Sequence, residues 1–180
     1  MQLYRVSGEY YNYIKQFDSK VPYLKDDKKN RPFVGIVLEI NEVSYYAPLT
    51  SPKPKHKKMK NAIDFEKIDG GVYGAINFNN MIPVPDSEVV VVDTVIAESD
   101  TKAEIDYKNL LVNQLSWCQK NETVLINKAA NLRRVIDNPV FNNVKKRCCD
   151  FELLEEKCRE YEEQRITFDS VEALLEDLNK

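Results

Sequence analysis

The sequence predicts an α+β fold in a single domain, with a strongly curved antiparallel sheet and a mainly helical C-terminal half. About six short apolar or alternating segments, joined by tight turns, precede residue 94, which favours an antiparallel sheet. After Ser99 the apolar residues recur at helical spacing instead. The length of 180 residues, with 43% hydrophobic and 31% charged residues, suits one globular domain with a sizeable core.

The N-terminal elements are predicted to be a strand and a helix. Residues 3–6 alternate as in a short strand. Ser7 can cap a helix that ends near Asp18. One face of that helix would carry four aromatic or apolar residues, Tyr10, Tyr13, Ile14 and Phe17.

The other predicted strands lie between residues 33 and 93. Residues 33–40 are largely apolar, as in a strand buried on both faces. Asn41 and Glu42 predict a hairpin turn into a strand over residues 44–47. Three further strands are predicted over residues 64–68, 72–78 and 88–93.

Helices are predicted for the rest of the chain. Apolar spacing indicates helices over residues 107–118, 125–136 and 151–161, followed by a short amphipathic tail helix after Ser170. We therefore divide the chain into a main domain at residues 1–164 and a tail at residues 165–180.

The composition argues against several classes of protein. No apolar run approaches the roughly 20 residues of a membrane span, and the first residues show no secretory signal. The four cysteines, at 118, 148, 149 and 158, form no CxxC pair, so we expect buried thiols in a cytoplasmic protein. No phosphate-binding glycine loop or metal-type carboxylate cluster occurs, so neither a metal nor another cofactor is predicted.

The net charge of −3 is unevenly distributed along the chain. Eleven acidic and four basic residues lie within residues 150–180, so the rest of the chain is mildly basic. This distribution is compatible with a nucleic-acid partner, which the whole-chain pI of about 5.4 would not suggest.

The most unusual stretch is residues 48–60, which we call the basic segment. It contains three prolines, five lysines and the only histidine, together with Thr50 and Ser51, and no acidic residue. Prolines at this density disfavour a helix or a paired central strand, so we expect an exposed loop. Neighbouring cations repel each other and are best accommodated around an anion, for which phosphate is the usual candidate.

Each candidate residue also has a purely structural interpretation. Thr50 and Ser51 could donate to a phosphate oxygen or cap a turn, and a Ser-His-Asp triad is weakly supported. The lysines could bind phosphate or act as a solubilising charge run. Their proximity should lower the pKa of His56 unless phosphate is bound, although His56 could also be an ordinary solvated residue. Tyr10 could contact a base or phosphate, or belong to the core.

If the basic segment cuts RNA, metal-free transesterification is the simplest scheme. The ribose 2′-hydroxyl is then the nucleophile, and the protein supplies alignment, charge stabilisation and proton transfer. Lysines and hydroxyls suit that task. DNA would be inert because it lacks the 2′-hydroxyl.

Residues 46–56, YAPLTSPKPKH, strongly resemble the active-site loop of the ToxN/AbiQ family. These proteins are endoribonuclease toxins of type III (protein–RNA) toxin–antitoxin systems. The agreement extends to residues 33–37, 74–83 and 151–157, and covers residues 4–161 in the expected order. Residues 165–180 lie outside it.

The resemblance implies a curved sheet similar to the MazF/Kid-like toxin core. It also implies metal-independent RNA cleavage, often at adenine-rich sites, that leaves a 2′,3′-cyclic phosphate and a 5′-hydroxyl. The inhibitor would be a repeated RNA pseudoknot that the toxin itself processes, and cellular RNAs would be the other substrates. Protein and RNA would close into a ring, as a heterohexamer, and the system would abort phage infection. Neither a membrane nor DNA is implied as a partner.

The site residues that the resemblance implies are Tyr10, Arg31, Thr50, Ser51 and Lys53. Thr50 and Ser51 would orient the scissile phosphate, and Tyr10 would contact substrate or assist proton transfer. Lys53 and Arg31 would stabilise the developing charge. Relatives place a lysine at the position of Arg31, and an arginine cannot readily give up a proton, so a phosphate clamp is the expected role there. The RNA backbone would run along Lys55, His56, Lys57, Lys58 and Lys60.

Two other functions remain open from the sequence. The basic segment could serve a non-catalytic RNA-binding module through the same phosphate contacts. A DNA- or gyrase-directed toxin on a related sheet is a third interpretation, which the lysines support poorly.

Overall fold

The computed structural model describes residues 1–22 and 35–178, with side chains described up to Thr167. Arg31 and the start of the strand predicted at residues 33–40 lie outside these ranges. The strands are β1 (Leu3–Val6), β2 (Gly35–Ile40), β3 (Val43–Thr50), β4 (Phe65–Lys67), β5 (Ala75–Asn77), β6 (Ile82–Pro83) and β7 (Val89–Val91). The helices are α1 (Gly8–Ile14), α2 (Pro54–Lys58), α3 (Lys102–Lys120), α4 (Glu122–Val135), α5 (Asn142–Lys145) and α6 (Phe151–Leu178).

The strands form an antiparallel sheet in the order β4-β5-β3-β2-β1-β7, which confirms the predicted fold class. Strand β3 is the centre of this sheet, since it pairs with β2 over most of its length. On its other edge, Tyr45 and Tyr46 pair with β6, whereas Leu49 and Thr50 pair with β5. This change of partner separates the last two residues of β3 from the main body of the sheet.

The hairpin between β2 and β3 is confirmed at the predicted turn. Asn41 and Glu42 have φ angles of 50° and 66°, as two-residue hairpin turns require. Ser7 caps α1 by accepting a hydrogen bond from the amide of Tyr10. Helix α3 begins with a capping box, in which Thr101 and Glu104 satisfy each other's backbone N–H groups.

The helical half packs on the sheet through α4, which contacts β2, and α6, which contacts β6. Glu155 on α6 accepts two hydrogen bonds from Arg133 on α4, at 2.8 and 2.9 Å, and a third from the hydroxyl of Tyr45 on β3. Because one carboxylate joins three elements, this contact fixes the helices relative to the sheet.

No helix in the described ranges is both long and apolar enough to cross a membrane.

The basic segment differs from the exposed loop that we predicted. Strand β3 continues through Pro48 to Thr50, and residues Pro54–Lys58 form α2. Pro54 lies in the first turn of this helix, where an N–H group has no intrahelical acceptor, so proline is well tolerated there. Only residues 51–53 and 59–60 of the segment lie outside a regular element.

Two further sequence predictions need correction. The strand expected over residues 72–78 is confined to Ala75–Asn77, because Gly71 and Gly74 before it have positive φ angles. The separate tail helix after Ser170 is wrong, since α6 runs without a break to Leu178. The division of the chain at residue 164 stays a prediction.

Candidate active site

A groove of about 390 Å³ lies where β3 leaves the sheet and joins α2. One part of its lining comes from the basic segment, another from β4, β5 and residues next to these strands, and a third from the connection between α5 and α6. The lining residues are Thr50, Lys53, Lys55, His56, Met59, Lys60, Ala62, Asp64, Phe65, Asn77, Asn79 and Arg147.

Polar contacts to the carbonyl oxygen and the side chain of Thr50 hold the end of β3 in place. The Thr50 hydroxyl donates to the carbonyl oxygen of Ala75 at 3.3 Å. The side chain of Gln114, which is 2% exposed, donates to the carbonyl oxygens of Thr50 at 3.3 Å and Tyr73 at 2.7 Å. A buried amide that joins two chain segments in this way restricts where Thr50 and Ser51 can lie.

Two glycines of the turn between β4 and β5 lie directly against the backbone of the basic segment. Gly74 has a φ angle of 99°, and a Cβ atom there would lie 1.9 Å from the carbonyl oxygen of Thr50. Gly71 has a φ angle of 95°, and its Cβ would lie 2.8 Å from the carbonyl carbon of His56. Both positions therefore need glycine for conformation and for space.

His56 is buried within the groove wall, at 2% exposure, while its lysine neighbours on α2 point to solvent. Its ring centroid lies 6.0 Å from that of Phe65. Burial lowers the pKa of His56, and the charges of Lys53 and Lys55 lower it further, so the imidazole is neutral at pH 7. Its Nδ1 atom has no hydrogen-bond partner among the residues that the structure describes.

Another part of the groove is lined by an ion pair that the sequence analysis missed. Asp64, which is 3% exposed, accepts hydrogen bonds from Nε and Nη2 of Arg147 at 2.6 and 2.9 Å. The backbone nearby is tied down as well, since the amide of Cys149 donates to the carbonyl of Asn79 at 2.8 Å. The hydrogen bonds and the charge of Asp64 raise the pKa of Arg147, which stays charged.

The structure brings several predicted site residues together. Thr50, Lys53, Lys55, His56 and Lys60 all line the groove. Ser51 follows Thr50 directly and is exposed, but it is not among the residues that line the groove. Lys57 and Lys58 are exposed on α2 and do not line the groove. Arg31 lies outside the described residues.

Tyr10 lies in the core and does not line the groove, and the substrate contact that we predicted for it stays a prediction. It is 0% exposed, and its hydroxyl donates to the carbonyl oxygen of Pro83 at 2.7 Å. Its ring packs edge-on against Tyr161 of α6, with 5.0 Å between the centroids. Burial raises the pKa of this phenol, so it stays protonated. In this arrangement Tyr10 supports the packing of α1 against α6.

The groove residues that sequence reasoning missed carried only weak signals. Asn77 and Asn79 belong to the segment 74–83 that resembles the family, but an asparagine by itself does not indicate a site. Arg147 and Asp64 are 83 positions apart, and nothing in their local patterns indicates the pair. In the described ranges, no three His, Cys, Asp or Glu side chains converge as metal ligands would.

Comparison with known proteins identifies the family. A sequence model of the toxin ToxN of type III toxin–antitoxin systems matches residues 2–159. The endoribonuclease ToxN of Bacillus thuringiensis subsp. kurstaki is 36% identical over 168 residues, which cover 91% of this chain and 85% of that protein.

Solved structures show the same relationship. One comes from a type III system in which a non-coding RNA pseudoknot selectively inhibits the toxin. Its superposition on this chain has a TM-score of 0.71, with 33% sequence identity, and covers 90% of this chain and 98% of that protein. AbiQ, a lactococcal anti-phage endoribonuclease of a type III system, has a TM-score of 0.71 at 27% identity and covers the same shares. This chain therefore belongs to the ToxN family of toxins from type III toxin–antitoxin systems.

Proposed function

We propose that this protein is an endoribonuclease toxin that cleaves RNA at the groove through attack of the ribose 2′-hydroxyl. The products would be a 2′,3′-cyclic phosphate and a 5′-hydroxyl. The observation that carries this proposal is the convergence of Thr50, Lys53, Lys55 and neutral His56 on one groove, in a chain of the ToxN family. Endoribonuclease activity is the activity named for its relatives.

The groove residues suit this reaction because the nucleophile belongs to the substrate. Ser51 and Thr50 would orient the scissile phosphate, and the Thr50 hydroxyl would exchange its 3.3 Å hydrogen bond to Ala75 for one to a phosphate oxygen. Lys53, exposed at the N-terminus of α2, would stabilise the charge that develops on the phosphate. Arg31 would act as a second phosphate clamp. Lys55, Lys57, Lys58 and Lys60 would attract the RNA backbone, and that attraction would weaken with salt.

His56 is the neutral nitrogen base of the groove. A side chain that is neutral at pH 7 can accept a proton, whereas the surrounding lysines are charged and can only donate one. The lysines also disfavour the imidazolium, and a bound phosphate would reverse that effect by adding negative charge nearby. We assign His56 to phosphate binding, which its place beside Lys53 and Lys55 in the groove lining supports.

The natural inhibitor would be a repeated RNA pseudoknot that the toxin itself processes, because a relative is inhibited by a non-coding RNA pseudoknot. We propose a ring of alternating protein and RNA, as a heterohexamer, in the cytoplasm, where cellular RNAs are also available as substrates. A role in phage defence is supported by the anti-phage activity named for AbiQ.

The direct test is to incubate the purified protein with adenine-rich RNA in excess EDTA. We expect cleavage by the natural chain, strong loss for Lys53→Ala, and no loss for Lys102→Ala, which removes an exposed lysine at the start of α3. RNA that stays intact but shifts on a gel would favour the non-catalytic RNA-binding module. RNA that is neither cut nor bound would contradict both functions.

A further inference from the structure

We propose that the groove contains a nucleobase subsite, formed by Arg147, Asn77 and Phe65, that reads a base next to the scissile phosphate. This inference rests on the proposed function and adds a source of sequence preference to it. The three residues come from different parts of the chain and line the same groove as Thr50, Lys53 and His56. The subsite lies within the groove, so a base bound there would be close to the basic segment.

The hydrogen-bond inventory of Arg147 leaves two donors for a ligand. A guanidinium has five N–H groups. Nε and one Nη2 hydrogen bind Asp64, and one Nη1 hydrogen binds the carbonyl oxygen of Asn143 at 3.2 Å. Two N–H groups therefore remain for a ligand, one on each terminal nitrogen, and we take them as the outer fork of the guanidinium. Such a fork matches a pair of acceptors on a base edge or a phosphate.

The choice between base and phosphate follows from charge. Asp64 neutralises Arg147, so this pair contributes little net attraction for an anion. The lysines of the basic segment already supply positive charge to the same groove. What the ion pair adds is a fork held in fixed orientation by two short hydrogen bonds, and fixed orientation is what base reading requires.

Asn77 and Asn79 add the complementary hydrogen-bonding groups. The side-chain amide of Asn77 makes no hydrogen bond within the described ranges, so it offers a donor and an acceptor to the groove. The Nδ2 group of Asn79 donates to Asn80 and to the carbonyl of Arg147, which leaves its Oδ1 as an acceptor. Donors and acceptors on one wall can distinguish bases by their edge patterns.

The apolar part of the groove suits the flat face of a base. Phe65 is half-buried there, and Met59 and Ala62 line the groove with it. Protein sites for unpaired RNA commonly combine such an aromatic surface with polar groups at the base edge. The volume of about 390 Å³ falls in the range of small-molecule pockets, roughly 300–1,000 Å³, so a base fits beside the phosphate.

The test compares cleavage of a panel of short RNAs that differ only in the bases flanking one scissile bond, together with matched RNAs that are abasic at those positions. The variants are Asn77→Ala, which removes no hydrogen bond, and Arg147→Lys, which keeps a charge beside Asp64 but loses the outer fork. Arg134→Lys, an exposed arginine on α4, is the matched control. We expect the natural chain and the control to prefer particular bases, and both site variants to lose about tenfold of that preference. Cleavage of the abasic RNA should stay unchanged.

Equal slowing of every RNA, the abasic one included, would overturn the proposal, because it would indicate a phosphate contact or a folding defect. So would a natural chain without base preference. If Arg147→Lys does not fold, as thermal melting would show, Asn77→Ala decides alone. Should the natural chain cut no RNA, the proposed function fails. The subsite is then tested by binding of the same RNAs, made with one 2′-deoxyribose at the scissile position, and loss of base preference in the variants is again the expected result.

Discussion

Gly74 lies so close to Thr50 that a Cβ atom on the glycine would come within 1.9 Å of the threonine's carbonyl oxygen. Gly71, three residues earlier, approaches the backbone of His56 in the same way. One turn between β4 and β5 therefore supports both ends of the segment from Thr50 to His56. The position of the candidate site thus depends on a turn that carries no catalytic side chain.

Replacing Gly74 by alanine should disrupt the site and the fold together. The new Cβ clashes with backbone, which cannot move aside as a side chain could, and the φ angle of 99° adds strain. We expect a loss of roughly 3 kcal/mol in the free energy of unfolding, measured with urea, and loss of RNA cleavage.

The matched control for that change is Gly70→Ala. Gly70 also has a positive φ angle, of 62°, but nothing lies within 4 Å of its Cβ position. It should cost only about 1 kcal/mol and leave cleavage intact. Equal effects of the two substitutions would show that the contact with Thr50 is unimportant.

His56 should titrate below its usual range. It is the only histidine in the chain, so the imidazole signals in an NMR titration of a tag-free protein are unambiguous. Burial and two neighbouring lysines lower its pKa from 6.5, and a bound RNA phosphate should raise it again. A pKa above 6.5 in the free protein would contradict the buried environment described above.

The same shift makes stability depend on pH. Between pH 6.5 and the lower pKa of the folded protein, the unfolded chain binds a proton at His56 that the folded chain does not. The free energy of unfolding should therefore fall as the pH drops below 6.5. His56→Gln should remove this part of the dependence, as urea unfolding at pH 5 and pH 7.5 would show. An unchanged difference between the two pH values would assign the effect to other groups.

The substitution Tyr10→Phe tests whether the hydroxyl of Tyr10 has a structural or a catalytic role. The substitution removes one buried hydrogen bond to Pro83 and keeps the ring that packs against Tyr161. Stability should fall by about 1 kcal/mol, and the rate of RNA cleavage at saturating substrate should stay within a factor of about two, because the hydroxyl is buried and donates to a backbone carbonyl oxygen. A loss of about a hundredfold in a folded variant would return Tyr10 to the reaction.

Ser51→Ala and Lys53→Ala should each restore growth to cells that express the protein without an antitoxin. Both side chains are exposed, so neither change should affect folding. Loss of a group that stabilises charge in a transition state costs about a hundredfold in rate, which is enough to relieve toxicity. Lys102→Ala serves as the toxic control. Full toxicity of both site variants would show that the site lies elsewhere.

Local patterns predicted most of the fold. The hairpin at Asn41 and Glu42, the Ser7 cap and the helical stripes of α3 and α4 follow from residue type and spacing, which act over a few positions. The same patterns failed where contacts between residues far apart in the sequence determine the structure. Pro48 lies in β3 although proline is rare in central strands, because it falls between the residues that pair with β6 and those that pair with β5, where neither of these pairings needs its N–H.

The site was predictable only in part, for the same reason. The basic segment is distinctive as a sequence, so Thr50, Lys53 and His56 could be found in it. The ring of His56 lies beside Phe65 and its backbone lies against Gly71, and both of these residues are outside the segment. Arg147 is held at the groove by its ion pair with Asp64, which lies 83 positions away in the sequence. No local pattern encodes such a contact.

The most direct test of the central claim replaces one ribose by 2′-deoxyribose at the cleaved position of an otherwise natural RNA. In excess EDTA, the protein should cut the all-ribose RNA to a 2′,3′-cyclic phosphate and a 5′-hydroxyl, bind the substituted RNA with similar affinity, and leave it intact at that position. Cleavage of the substituted RNA at the same bond would contradict the account, because the nucleophile would then be something other than the sugar's own hydroxyl.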